Sequence, residues 1–148
     1  MAISRANLEN VDEVAKLFDL YRQFYGYEPD FSSAKQYIHD RIINHESIIF
    51  VSKNEKNIIQ GFVQLYPSFC SVEAAKIMIL YDLYVDVDFR KYGVGEGLMN
   101  RAAQHAKDQG AIRLDLLTAK DNLPGQGLYE KLGYQKSNEN FFAYSLYV

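Results

Sequence analysis

A mixed α+β domain is predicted for this 148-residue chain by three observations. Segments with helical apolar spacing alternate with short β-branched runs. The run from Lys76 to Val85 is apolar on both faces, so it reads as a central strand covered on two sides. A glycine-containing turn then opens a new helix, the order expected of layered α and β structure. A chain of this length makes one domain, 1–148, able to bury about two-thirds of its unfolded surface.

The elements follow in order. Ile3 to Arg5 reads as a short first strand. Val11, Val14, Phe18, Tyr21 and Tyr25 fall at helical spacing, with Gly26 as the stop. Ser33-Ala34-Lys35-Gln36 reads as a capping box for a second helix marked by Tyr37, Ile38, Arg41 and Ile42. Ser47 to Ser52 is a strand, Lys53 to Asn57 a polar turn, and Ile58 to Tyr66 a second strand broken by Pro67-Ser68. On the central strand, alternation puts Ile77, Ile79, Tyr81, Leu83 and Val85 on one face. Met78, Leu80, Asp82 and Tyr84 fall on the other. The next helix runs from Val94 to Gln109 and stops at Gly110. Ile112 to Thr118 reads as a buried strand, Asp121 or Asn122 caps a short helix to Leu132, and Gly133 ends it. Tyr134 to Lys136 and Phe141 to Val148 read as closing strands.

Composition narrows the function classes. Sixteen basic residues against nineteen acidic ones give a net charge of −3, without the basic stripe of a nucleic-acid binder. No run approaches the ~20 apolar residues needed to span a membrane, and Met1 to Val14 has no signal-peptide character. The single cysteine, Cys70, excludes a disulfide framework and fits the cytoplasm. His39, His45 and His105 lack a metal-ligand spacing, so no metal is expected, and His105 reads as exposed on the polar side of its helix.

The run Arg90-Lys91-Tyr92-Gly93-Val94-Gly95 stands between the central strand and a helix. Such a turn presents backbone N–H groups to an anion, and Arg90 and Lys91 add positive charge. A Walker loop is excluded because Gly95-Glu96-Gly97 lacks the terminal Lys-Ser/Thr, and the glycine spacing does not match a dinucleotide fingerprint. About 30 residues on comes Asn122, followed by Leu128-Tyr129-Glu130-Lys131-Leu132-Gly133-Tyr134. Together these two segments resemble the GNAT superfamily of acetyl-CoA-dependent N-acetyltransferases, with specific motifs over Asp82 to Tyr134.

The resemblance implies a single-domain GNAT fold: a mixed, mostly antiparallel sheet, helices on both faces and splayed central strands. It implies acetyl-CoA as co-substrate, with the pyrophosphate on the N–H groups of Tyr92, Gly93, Val94, Gly95 and Glu96, beside Arg90 and Lys91. Leu83, Tyr84 and Val85 match the strand end whose backbone pairs with the pantetheine arm. Asn122 matches the residue that hydrogen-bonds that arm, and it is equally readable as a helix cap. Tyr129 matches the acid that protonates the departing sulfur, and a phenol, neutral at pH 7, suits that role. Asp82 reads either as the general base, helped by burial, or as a structural carboxylate in the sheet. Relatives that acetylate polyamines carry a glutamate one residue earlier, where this chain has Tyr81, a residue suited to carry a water chain. The usual alanine of the second motif is Gly125, accompanied by Pro124 and Gly127.

On the acceptor side, Tyr25, Tyr27 and Glu28, with Tyr81, read either as aromatic faces and negative charge fit for an alkylammonium, or as a helix whose tyrosines face the core while its acids face water. The branch resembled acetylates polyamines, amino acids or histone lysines. The expected function is acetyl transfer to a small primary amine by direct attack in a ternary complex. A protein lysine or N-terminal acetyltransferase and a non-catalytic acyl-CoA sensor are the alternatives. The resemblance also implies a homodimer, with Phe141 to Val148 pairing across it.

Overall fold

The computed structural model describes residues 1–137 and 140–148. It divides into two compact units, 1–117 and 118–148.

The first unit is a five-stranded sheet of order β1-β2-β3-β4-β5, where β1 is Ala2–Arg5, β2 Ile48–Lys53, β3 Ile59–Cys70, β4 Ala75–Val85 and β5 Leu114–Asp115. The first four strands pair antiparallel, and β5 joins β4 in parallel through only two residue pairs, Met78 with Leu114 and Ile79 with Asp115. From Leu80 onward β4 therefore has no strand neighbour on that side, which is the splay expected of the central strands. Helices α1 (Val11–Phe24) and α2 (Phe31–Ile43) cover one face, burying Val14, Leu17, Phe18, Ala34 and Ile38 against Ile49, Val51, Ile59 and Phe62. Helix α3 (Val94–Asp108) covers the other face, with Leu98, Met99, Ala102 and Ala106 buried.

The structure corrects the sequence reading at five places. Helix α2 starts at Phe31, because the Asp30 carboxylate accepts from the Ser33 amide and hydroxyl and so caps the chain three residues earlier. Pro67 does not break β3, which continues to Cys70. The β2 pairing ends at Leu65, so Pro67 lies where β3 has a neighbour on one side only. The strand expected over Ile112 to Thr118 shrinks to Leu114–Asp115. Tyr134 to Lys136 and Phe141 to Val148 form no strand, since a strand needs a paired neighbour and none of the described strands pairs with them. His105 is buried at 9% exposure, its ring edge-on to Phe50 at 5.4 Å, because the α3 face that holds it is turned toward β2.

The position of His105 has a measurable consequence. Burial first, then the nearby Arg5 and Arg101, hold its pKa below the ordinary histidine value. The unfolded chain therefore takes up this proton more readily, and stability falls as pH drops from about 6.5 through the lowered folded value. His105→Leu is expected to flatten the dependence of the melting temperature on pH below about 6.5. Equal slopes in circular-dichroism melts of both proteins would refute it.

The second unit holds α4 (Leu123–Lys131). Asn122 caps it, its Oδ1 accepting from the Gly125 amide at 3.2 Å while its Nδ2 donates to Thr118 Oγ1 at 3.1 Å. A Cβ on Gly125 would lie 2.4 Å from Asn122 Nδ2, so glycine here makes room for the cap. Pro124 sits in the first turn, where its missing N–H is harmless, and the helix forms as expected.

Candidate active site

The central feature of β4 is a bulge. Gln64 on β3 pairs with Asp82 and the next residue, Leu65, pairs with Leu80, which leaves Tyr81 as an extra residue. Adjacent residues of β3 face opposite sides of the sheet, and paired residues face the same side. Asp82 and Tyr84 therefore face α1, opposite to Leu80 and Met78. This corrects the strict alternation read from the sequence, and the physical reason is the inserted residue.

That turn puts Asp82 into a polar chain beneath α1. Its Oδ2 accepts from Gln64 Nε2 at 2.6 Å, and Gln64 Oε1 accepts from the Ser47 hydroxyl at 2.8 Å. Because the ionised carboxylate only accepts, the amide nitrogen of Gln64 faces it, and the amide oxygen is left to take the Ser47 hydroxyl proton. The Tyr21 hydroxyl donates to the Tyr81 carbonyl at 3.2 Å and also reaches the Asp82 carboxylate. Asp82 is 4% exposed, and burial drives its pKa upward against the lowering effect of the Gln64 and Tyr21 hydrogen bonds. The Tyr21 and Tyr66 hydroxyls are also pushed well up, first by burial.

Tyrosine rings cluster about the partners of this carboxylate. Tyr21 meets Tyr25 at 5.1 Å and Tyr84 at 6.4 Å, and Tyr66 meets Tyr81 edge-on at 5.7 Å. Tyr66 shares a hydroxyl hydrogen bond with Tyr37, whose ring lies under the Arg41 guanidinium. Of the predicted acceptor residues, Tyr25 joins this cluster and Tyr81 edges it at 63% exposure. Tyr27 is exposed, with the Arg22 guanidinium 5.2 Å over one face of its ring, and Glu28 is exposed in the connection to α2.

The backbone of β4 beyond the bulge supplies a second feature. The Asp86 amide donates to the Gln60 carbonyl, so Asp82 and Tyr84 also direct their peptide groups to β3. Leu83 and Val85 point theirs the other way, toward the side with no strand neighbour. The Val85 carbonyl is taken up there by Arg90 Nε at 2.9 Å, and the Arg90 guanidinium lies over the Tyr84 ring. Arg90 thus braces the end of β4 as well as carrying charge.

The chain then reaches α3 through Lys91 and Gly93, which have φ of 68° and 81°. Gly93 caps α3 without a side-chain hydrogen bond, leaving the first-turn amides of Val94 and Gly95 outside the intrahelical ladder. Nothing lies within 4 Å of where a Gly93 Cβ would stand, so the turn opens to space. Lys91 and Tyr92 are exposed beside it, and Glu96 follows in the first helical turn. Open glycine turn, unused first-turn amides and outward-facing strand peptides fit the phosphates and amide arm of coenzyme A.

In the second unit, Tyr129 packs 6.2 Å from the Tyr134 ring, and the Tyr134 amide bonds to the Tyr129 carbonyl. The Tyr134 hydroxyl is buried, with no hydrogen-bond partner among the described residues. Both polar atoms of Asn122 are engaged within this unit, so its capping role is present in the fold.

Sequence reading missed Tyr21 and Gln64 as partners of Asp82, and Ser47 as the partner of Gln64. A signal existed for one of them: Gln64 interrupts the apolar run Phe62-Val63-Gln64-Leu65, the mark of a polar side chain with a buried partner. No group of three or more metal-ligating side chains occurs among the described residues. No helix among them is long and apolar enough to cross a membrane.

The acetyltransferase (GNAT) family model matches residues 14–134, and the chain belongs to that family as an N-acetyltransferase. It is 37% identical to the uncharacterized N-acetyltransferase YhfO of Bacillus subtilis (strain 168), over all of this chain and 98% of that one. Human N-acetyltransferase 8 is 29% identical over 73% of this chain, which spans 45% of that protein. Among solved structures, a probable acetyltransferase superposes with a TM-score of 0.92 at 35% identity, covering 100% and 98% of the two chains. The ribosomal-protein-alanine N-acetyltransferase of Brucella melitensis shares the fold, with a TM-score of 0.79 at 19% identity over 98% and 100%. Acetyl-CoA is the donor used across this family.

Proposed function

We propose that this chain transfers an acetyl group from acetyl-CoA to a primary amine of a small molecule, of polyamine or amino-acid type. The observation that carries the reading is the Tyr81 bulge, which turns Asp82 to the α1 face, beside the cluster of tyrosines about Tyr21. A sensor has no need of a buried carboxylate beside a tyrosine cluster, whereas an ammonium acceptor needs a base and is favoured by aromatic faces.

Acetyl-CoA supplies the activated acetyl thioester. Val94, Gly95 and their neighbours in the 90–96 turn hold its pyrophosphate, and the peptides of Leu83 and Val85 align the arm. The acceptor amine attacks the carbonyl carbon directly, forming a C–N bond as the C–S bond breaks. Asp82 takes the amine proton, directly or through a water held by Tyr81. Tyr129 gives its phenolic proton to the departing thiolate and regains one from solvent. The match of one family model across 14–134 supports a single acetyltransferase domain over 1–148. A lone cysteine supports a cytoplasmic setting, and the exposed apolar side chains of Phe141 to Val148 support a homodimer.

The test is an acetyl-CoA consumption screen over polyamines, D- and L-amino acids and lysine peptides, read by thiol release. Turnover with the small amines is expected. Turnover confined to peptides would transfer the reading to a protein acetyltransferase, and calorimetric binding without any turnover would make the chain a sensor. Tyr129→Phe is expected to lower kcat by about 10²-fold while leaving the Kd for acetyl-CoA within about twofold. Unchanged kcat would remove Tyr129 as the acid.

A further inference from the structure

We propose that Tyr21 of α1 is a positioning residue for Asp82, its single hydroxyl proton shared between the Tyr81 carbonyl at the bulge and the Asp82 carboxylate. This rests on the reading of Asp82 as the base, and it adds a residue that the two sequence motifs do not contain.

The geometry leaves Tyr21 little freedom. Its ring stacks on Phe18 at 6.3 Å and meets Phe62, Tyr25 and Tyr84 edge-on. Gln64 is likewise fixed, since Ser47 holds its amide oxygen and Oδ2 of Asp82 takes its amide nitrogen. Asp82 therefore has a permanent donor in Gln64 and a conditional one in Tyr21. When Asp82 is charged, the Tyr21 proton turns to the carboxylate, because a charge-assisted hydrogen bond is stronger than a neutral one. When Asp82 is protonated, the Tyr21 proton returns to the Tyr81 carbonyl, and the hydroxyl oxygen is free to accept from the acid.

Tyr21 thus registers the protonation state of Asp82 and couples it to the bulge that aims the carboxylate. The other titratable and charged groups facing this site are Tyr25 on α1, Tyr66 on β3, Tyr84 on β4, and Tyr37 and Arg41 on α2. Tyr66 and Tyr37 bond to each other, and Arg41 pairs with Glu46, so none of these three replaces Tyr21 as a donor to Asp82.

The experiment is a carbon-13 NMR titration of the Asp82 carboxyl in the wild type and in Tyr21→Phe, alongside the pH dependence of kcat/KM. Loss of the hydroxyl removes a bond to the charged form. The Asp82 midpoint and the acid limb of kcat/KM are both expected to move to higher pH, by about one unit or tenfold in proton affinity. The KM for acetyl-CoA should change by less than about twofold, since Tyr21 is no part of the donor site. In the wild type, the Tyr21 Cζ resonance is expected to follow the Asp82 titration, a readout that needs no variant. An unmoved Asp82 midpoint in a natively folded Tyr21→Phe, or a Tyr21 resonance flat across that titration, overturns the proposal. If Asp82→Asn keeps the wild-type rate and pH profile, it is the base assignment that fails, and the NMR midpoints still decide the role of Tyr21.

Discussion

Asp82→Asn is expected to lower kcat/KM at pH 7 by about 10²–10⁴-fold while raising the melting temperature of the protein. Both effects come from one burial. The carboxylate sits at 4% exposure, and desolvation raises its pKa against the donors Gln64 and Tyr21. A folded pKa above the unfolded one means that the unfolded chain gives up this proton first. Stability is therefore lost as pH rises from the ordinary aspartate value, ~3.9, through the raised folded one, and stays lost at neutral pH. Asparagine removes that penalty and keeps an oxygen to accept from Gln64 Nε2, so the network survives without its charge. Activity and stability moving in opposite directions is the signature of a site held strained for chemistry. Thermal melts at pH 7 with parallel rate measurements check it, and a variant both slower and less stable would make Asp82 a structural carboxylate.

Gly93→Val is expected to weaken acetyl-CoA binding by about 10–100-fold, corresponding to ~1–3 kcal/mol. Gly93 holds φ at 81°, a region closed to β-branched residues except under strain. The variant has two ways to relieve that strain. The turn shifts and the first-turn amides of α3 lose their common direction, or it holds and a branched side chain fills the open space before them. Either way the phosphates lose their seat, together with the helix-dipole contribution of ~1 kcal/mol. Calorimetry with acetyl-CoA reads the loss directly, and an unchanged Kd would place the donor phosphates elsewhere.

The proposed donor site was far more legible in the sequence than the proposed acceptor site. Arg90 to Gly95 lies in one continuous stretch, and its strand–turn–helix setting follows from local apolar spacing and glycine positions. The polar and aromatic cluster about Asp82 is assembled from α1, α2, β3, β4 and the Ser47 just before β2, so its members carry no common signature along the chain. The bulge is the clearest instance. Nothing in Leu80-Tyr81-Asp82 announces an inserted residue, and without it alternation sends Asp82 to the wrong face. Pro67 misled for a related reason, because its tolerance depends on β2 ending at Leu65, a fact of pairing and not of local sequence. His105 misled because three neighbouring polar residues, Gln104, Lys107 and Asp108, suggested a wet helix face, while packing on Phe50 decided otherwise. The C-terminal run from Phe141 to Val148 has strand-forming side chains, yet strand formation waits on a neighbour that propensity cannot supply.

The most direct test of the donor site is a nitrogen-15 titration of the wild-type protein with acetyl-CoA, following the backbone amides. The largest shifts are expected at Leu83, Val85 and Tyr92 to Glu96, saturating together with a single Kd. Shifts that leave those amides unmoved and gather on another surface would contradict the account.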